Sequence, residues 1–213
     1  MFKEIDYAIS GYAKFRQKYF NGDNQIFEQL KDGQNPKFLV IACSDSRVDP
    51  TIILNCKPGD LFVIRNVANL IPPCQNDNAH RATSAALEFG ICGLGIKDII
   101  ILGHSNCGGI RALVEQSATT TKSGSFISNW MEIAKTSYQK TIQKYPKNSI
   151  DEQANHCSKF AIINSLKNLT TFPWIKERLD NNELNLHGWH FDIKTGTIKV
   201  FNKESEEFEE LIK

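Results

Sequence analysis

Three segments of this chain break the helical and alternating patterns around them by being apolar without interruption. Phe38, Leu39, Val40, Ile41 and Ala42 run together after turn-forming Pro36 and stop abruptly at Cys43, Ser44, Asp45, Ser46 and Arg47. Such a run is the pattern of a strand covered on both faces, as in parallel sheets. Leu61 to Ile64 repeats it after the Pro58-Gly59 turn and ends in Arg65 and Asn66, and Ile99 to Leu102 repeats it again, ending in Gly103, His104, Ser105, Asn106 and Cys107.

Between and around these strands the apolar positions recur at helical spacing. Ile5, Ile9, Tyr12, Ala13, Phe15 and Tyr19 predict a helix within Phe2 to Phe20, and a second short one follows from Asn24 to Leu30. Lys31 to Pro36 is a turn cluster. Further helices are predicted at Pro50 to Leu54, Arg81 to Cys92, Gly108 to Gln116, Phe126 to Tyr145, Ile150 to Asn168 and just after Pro173, with a Thr/Ser-rich loop at Thr119 to Ser125. Leu184 to Ile193 and Thr197 to Phe201 are strand-like, with Thr195-Gly196 as the turn between them. Strands alternating with helices predict an α/β fold: a mostly parallel central sheet flanked by helices, with an N-terminal helical arm over residues 1–33. A chain of 213 residues suits one domain with a sizeable core.

Composition narrows the function more than the fold. Hydrophobic residues at 41% and charged residues at 23% are ordinary for a globular protein, and a net charge of +1 gives no reason to expect nucleic acid or an acidic membrane surface as partner. No apolar run reaches the roughly 20 residues of a membrane span, and the N-terminus lacks the apolar stretch of a secretory signal. A cytoplasmic location is therefore expected, where the cysteines stay reduced and free to bind metal.

Ligands of open α/β sheets gather at the carboxyl ends of the strands, where Cys43, Asp45 and Arg47 sit. His104 and Cys107, spaced His-x-x-Cys across a strand-to-loop turn, end another such strand. With Cys43 they supply two sulfurs and one nitrogen for a tetrahedral zinc, leaving the fourth position to water or a labile carboxylate, as in catalytic sites. Cys92 is the substitute sulfur for Cys43; otherwise Cys56, Cys74, Cys92 and Cys157 read as small core hydrophobes. His187 and His190, three apart in a strand, point to opposite faces and do not form a pair. His80 and His156 read as surface or packing residues, with His80 a candidate proton shuttle. The helix after Cys107 presents free backbone N–H groups to an anion beside the metal.

The motifs CSDSR at Cys43 to Arg47, PGDLFVIRNVANLIPP at Pro58 to Pro73 and GHSNCGG at Gly103 to Gly109 resemble, in order and separation, those of the β-class carbonic anhydrases. The likeness runs from about Gln34 to about Trp189. It implies a zinc enzyme that reversibly hydrates carbon dioxide to bicarbonate and a proton, by zinc-hydroxide attack. By the same resemblance Cys43, His104 and Cys107 are the zinc ligands, Asp45 orients the hydroxide and can close the site by becoming a fourth ligand, and Arg47 holds Asp45 off the metal. Phe62, Val67 and Gly108 match positions lining the pocket, with Phe89 where some members have a tyrosine. Gln34 matches a glutamine that reaches substrate from the neighbouring subunit. Val40 stands where bicarbonate-inhibited members carry a tryptophan, and Arg65 is either structural or a bicarbonate contact. The N-terminal helix either packs on its own domain, the default for an amphipathic helix, or embraces a partner subunit in a homodimer or a dimer-based higher oligomer.

Three rivals to this reading remain. A hydrolase of carbon disulfide or carbonyl sulfide on the same scaffold is compatible with the motifs. A non-catalytic zinc protein has no use for Asp45 and Arg47 together. A cysteine phosphatase needs a longer loop between its cysteine and arginine than Cys43 to Arg47 provides.

Overall fold

The computed structural model describes residues 3–21, 25–77, 79–115 and 125–212. Six strands form one sheet: β1 (Phe38–Cys43), β2 (Leu61–Asn66), β3 (Asp98–His104), β4 (Asn185–Phe191), β5 (Ile198–Phe201) and β6 (Phe208–Glu210). Their spatial order is β2-β1-β3-β4-β5-β6. The first four are mutually parallel, and β5 and β6 add antiparallel at one edge. Chain order moves outward from β1 to β2 and then returns to β3 on the other side of β1. The order in which strands are added therefore reverses between the parallel neighbours β1 and β3, the place where α/β sheets open a crevice at their carboxyl ends.

The uninterrupted apolar runs are explained by cover on both faces. On one face Leu39, Ile41, Ile64, Ile99, Ile101 and Leu186 pack with Leu87, Ile91, Ile162, Leu166 and Ile175 from helices. On the other, Val40, Ala42, Ile100 and Leu102 form a smaller cluster with Ile53, Leu54, Trp189 and Phe191. The expected Thr195-Gly196 turn is present, with Gly196 in the left-handed region at φ 73° that glycine adopts without a Cβ penalty.

Nine α-helices are described among these residues: α1 (Lys3–Phe20), α2 (Ile26–Leu30), α3 (Pro50–Ile53), α4 (Ala82–Glu88), α5 (Gly108–Val114), α6 (Phe126–Met131), α7 (Lys135–Lys144), α8 (Ile150–Leu169) and α9 (Pro173–Asp180). Helix α8 is the long strut across the sheet. It starts at a capping box in which Ser149 and Glu152 satisfy each other's backbone N–H groups. It lies close to β3 and β4 because both strands carry glycine beneath it. A Cβ on Gly103 would sit 2.7 Å from Ile162 Cδ1, and one on Gly188 would sit 2.8 Å from Ile162 Cγ2.

Three differences from the sequence pattern have physical causes. The helix expected from Arg81 to Cys92 ends at Glu88 and widens into a π-turn over Phe89–Gly93. Gly90 and Gly93 weaken the α ladder there, and Gly90 packs so closely that a Cβ would lie 2.6 Å from Leu39 Cδ1. The helix expected from Phe126 to Tyr145 is divided by a 3-10 turn at Glu132–Ala134, which buries Ala134. Helix α1 buries none of its residues: Tyr7 is 84% exposed and Tyr12 62%, so the default of packing on its own domain does not hold. Its end instead joins α2 through a cluster of Phe15, Tyr19, Phe20 and Phe27. The loop expected from Thr119 to Ser125 lies outside the described residues except for Ser125, as do Phe2 and Asn24 at the edges of the first two predicted helices and Gln116 at the end of another.

Candidate metal centre

The tips of β1 and β3 are neighbours, because Ala42 pairs in register with Leu102. Cys43 and His104 follow at those tips, and the turn Ser105-Asn106 brings Cys107 back beside them. The ligand atoms of Cys43, His104 and Cys107 all lie within 4.8 Å of one another, and all three residues are buried. The two sulfurs are 3.9 Å apart.

Each donor is prepared by its surroundings. His104 Nδ1 lies 2.9 Å from the carbonyl of Ser105. A carbonyl only accepts, so Nδ1 carries the proton and Nε2 presents its lone pair. That Nε2 is buried and has no hydrogen-bond partner. An orphaned imidazole nitrogen beside two sulfurs is costly in a buried site unless a cation takes it up. The Ser105 turn is pinned from β4, since Ser105 N donates to Phe191 O at 2.9 Å and Ile193 N donates to Ser105 Oγ at 3.0 Å.

The paired thiols ionise unequally. The Cys107 S–H donating to it pulls the Cys43 thiol down, against burial, with help from the backbone N–H groups of Asp45 and Ala68. Cys107 is pushed up, first by that shared hydrogen bond with Cys43 and then by burial and the neighbouring negative charge. The N–H groups of Ile110 and Gly109, at the start of α5, partly offset this. The free N–H groups expected to meet an anion are thus turned on the Cys107 sulfur. A divalent cation between the sulfurs removes the repulsion that resists the second ionisation.

The Ala68 N–H reaches Cys43 through a strained turn. Ala68 and Asn69 both have positive φ, 61° and 48°. Asn66 braces the turn with its side chain, donating to Leu70 O and accepting from Leu70 N, both at 2.9 Å. The same turn exposes Val67, whose carbonyl accepts from Trp130 Nε1 at 2.8 Å. Gly109 touches this turn closely, since a Cβ there would lie 2.9 Å from Val67 Cγ1, whereas a Cβ on Gly108 would meet open space.

Asp45 is turned toward Arg47. Arg47 Nε donates to Asp45 Oδ1 at 2.9 Å, Nη2 to Oδ2 at 2.7 Å, and the Arg47 backbone N–H to Oδ1 at 3.0 Å. The guanidinium holds this carboxyl well below the usual carboxylate range. Arg47 Nη2 also donates to Asn106 O at 3.1 Å. Arg65 is fully engaged in the scaffold: Nε donates to Cys43 O at 3.0 Å, Nη2 to Asp45 O at 2.7 Å, and Nη1 to Asp49 Oδ2 at 3.2 Å. Of its two expected roles, the structure displays the structural one.

The remaining candidates separate. Phe62 and Phe89 pack together with ring centroids 6.0 Å apart, and Gln34 is exposed ahead of β1. His187 Nε2 pairs with Asp98 and His190 Nε2 with Ser158, each at 2.9 Å and on opposite faces as the strand period requires. His80 is exposed, and His156 stacks on Tyr145. Cys157 is buried and Cys56 and Cys74 half-buried, but Cys92 is exposed rather than in the core and is not part of the donor group. Sequence reasoning missed Asn106 and Asn155. Asn106 has φ 56°, a conformation that Asn tolerates and that a tight turn before Cys-Gly-Gly could have suggested. Asn155 left no local signal.

The chain is similar to known proteins in sequence and in fold. Residues 38–198 match the carbonic anhydrase family. Beta carbonic anhydrase 5, chloroplastic, of Arabidopsis thaliana is 40% identical over 188 residues, which are 88% of this chain; the chain spans 62% of that protein's length. Beta carbonic anhydrase 3 of the same plant is 37% identical over 92% of this chain and 76% of its own. Among solved structures, the beta-carbonic anhydrase CcaA superposes with a TM-score of 0.90 at 35% identity, covering 97% of this chain and 99% of its own. A tetrameric beta-carbonic anhydrase of Sordaria macrospora gives 0.82 at 30% identity, over 94% of this chain and 98% of its own.

Proposed function

The chain belongs to the β-class carbonic anhydrase family, and from that membership we propose that it catalyses the reversible hydration of carbon dioxide to bicarbonate and a proton. The observation that carries the proposal is the partnerless Nε2 of His104 facing two sulfurs, beside a carboxylate that Arg47 holds to itself. Two thiolates and an imidazole suit zinc, which when bound supplies the Lewis acidity that makes water a nucleophile near neutral pH. Cys43, His104 and Cys107 are its ligands in this reading.

The chain's other residues do the rest. Asp45 accepts a hydrogen bond from the attacking oxygen and so directs its lone pair at the carbon. Arg47 keeps Asp45 in that position and away from the fourth ligand position. Phe62, Val67, Phe89 and the open side of Gly108 form the apolar wall against which a linear, uncharged substrate rests. Gln34 belongs to the pocket of a neighbouring copy in a homodimer or a dimer-based oligomer. The uncovered aromatic face of α1 supports such an assembly.

The test is metal content together with stopped-flow carbon dioxide hydration by the purified protein across pH. About one zinc per chain is expected, with activity rising above neutrality because two thiolates cancel the metal's formal charge and acidify water less than three imidazoles do. Cys107→Ala should lose both metal and turnover. An active Cys107→Ala protein without metal excludes the ligand assignment, and turnover of carbon disulfide or carbonyl sulfide but not carbon dioxide excludes the substrate.

A further inference from the structure

We propose that Asn155, on the long helix α8, is a positioning residue that keeps the fourth ligand position of the metal centre available by holding the turn at Asn106, whose carbonyl meets Arg47. The proposal rests on the reading of Cys43, His104 and Cys107 as metal ligands. Asn155 Oδ1 accepts the Asn106 backbone N–H at 3.3 Å, and the Asn106 carbonyl accepts Arg47 Nη2 at 3.1 Å. The same Nη2 donates to Asp45 Oδ2 at 2.7 Å. One continuous path therefore runs from α8 to the carboxylate beside the donor group.

The path has a reason to exist. Asn106 stands in the left-handed region at φ 56°, one residue before Cys107, a conformation that Asn tolerates and that persists where the surroundings enforce it. Asn155 enforces it from outside the loop. Were the turn at Asn106 to relax, the Asn106 carbonyl, which lies in the next peptide unit, would turn from Arg47, and the guanidinium would keep Asp45 with no anchor on the β3 side. Asp45 would then be freer to move to the metal.

Asn155 is itself firmly placed. Ala154 and Cys157 beside it are buried, and Gln153 Nε2 donates to Tyr145 O at 2.9 Å. Its own carbonyl accepts Ser158 Oγ at 2.8 Å, and Ser158 Oγ lies 2.9 Å from His190 Nε2 on β4. Arg111 of α5 pairs with Asp151 at the start of α8, which ties the helix to the segment following Cys107. The oxygen offered to Asn106 thus comes from a fixed element, and that oxygen is all the proposed role requires.

The experiment uses the cobalt-substituted full-length protein and reads thiocyanate binding through the visible d–d spectrum, which needs no turnover. Asn155→Leu removes the acceptor at similar volume, and Asn155→Asp restores an oxygen. The expected result is that Asn155→Leu weakens thiocyanate binding about fivefold, the order expected from one lost hydrogen bond, while Asn155→Asp stays within about twofold of wild type. In an Arg47→Ala background the Asn155→Leu change should add nothing, because both act through one path. A thiocyanate curve for Asn155→Leu that matches wild type overturns the proposal, whatever its melting temperature. Equal weakening in the Arg47→Ala background overturns it too. An inactive wild type defeats the hydration reading alone, since the spectral titration still decides the role of Asn155.

Discussion

Arg47 grips Asp45 with two parallel hydrogen bonds, Nε to Oδ1 at 2.9 Å and Nη2 to Oδ2 at 2.7 Å, while the same Nη2 reaches the Asn106 carbonyl. Only a planar guanidinium offers that fork, so lysine is no substitute. Arg47→Lys is expected to keep its metal and lose about tenfold or more in hydration rate, a single ammonium being unable to satisfy all three oxygens. Zinc analysis beside stopped-flow rates checks it. A lysine variant as fast as wild type would show that the fork is not used.

Arg65 acts on the fold beneath the site. It ties the carbonyls of Cys43 and Asp45 to Asp49, the residue that caps α3 through Thr51 N at 2.9 Å and Ile52 N at 3.4 Å. Arg65→Met removes the side-chain donors from the Cys43 and Asp45 carbonyls, of which the second keeps Val48 N at 3.1 Å, and breaks the tie to Asp49; it should cost about 1–2 kcal/mol in urea unfolding. An unchanged urea midpoint would mean that water replaces the guanidinium without loss.

His190 makes stability depend on pH. Burial, and then the nearby Lys159, holds its imidazole down to about 3, while the unfolded chain titrates near its ordinary value. The unfolded state therefore binds the extra proton first, and stability from this group, intact above roughly pH 6.5, falls as pH drops toward 3. Relative to pH 7.5, the wild type should lose about 2 kcal/mol at pH 5 through this residue. His190→Asn should lack that part of the slope. Parallel stability curves for the two proteins across pH 5 to 7.5 would count against the assignment.

Gly188 tests the close seat of α8. Its Cβ would fall 2.8 Å from Ile162 Cγ2 and 2.9 Å from Leu166 Cδ1, both in a fully packed region. Gly188→Ala should destabilise by about 1–3 kcal/mol, the usual cost of forcing volume into a filled core. Thermal melts of the metal-loaded protein decide it, and a gain in melting temperature would show that the helix can shift outward freely.

Much of this protein was legible along the chain. Unbroken apolar runs ended by polar tips marked β1, β2 and β3, and the tips carried Cys43, His104 and Cys107, because strand burial and turn chemistry are written in adjacent residues. The strand at Phe208–Glu210 was missed, since Glu209 and Glu210 give a three-residue edge strand little apolar signal. The break after Glu88 was missed because a π-turn depends on what Gly90 packs against.

What only the tertiary structure decided was where the polar groups spend their hydrogen bonds. Nothing near Arg65 in sequence tells that its three nitrogens turn inward to Cys43, Asp45 and Asp49, and nothing near Asn155 tells that it meets a peptide 49 positions away. The amphipathic pattern of α1 likewise said that one face seeks cover, not that its own sheet leaves it bare. Periodicity reports which side of an element avoids water, whereas a hydrogen bond requires two groups at a set distance and angle, and that relation exists only once the helices are seated on the sheet.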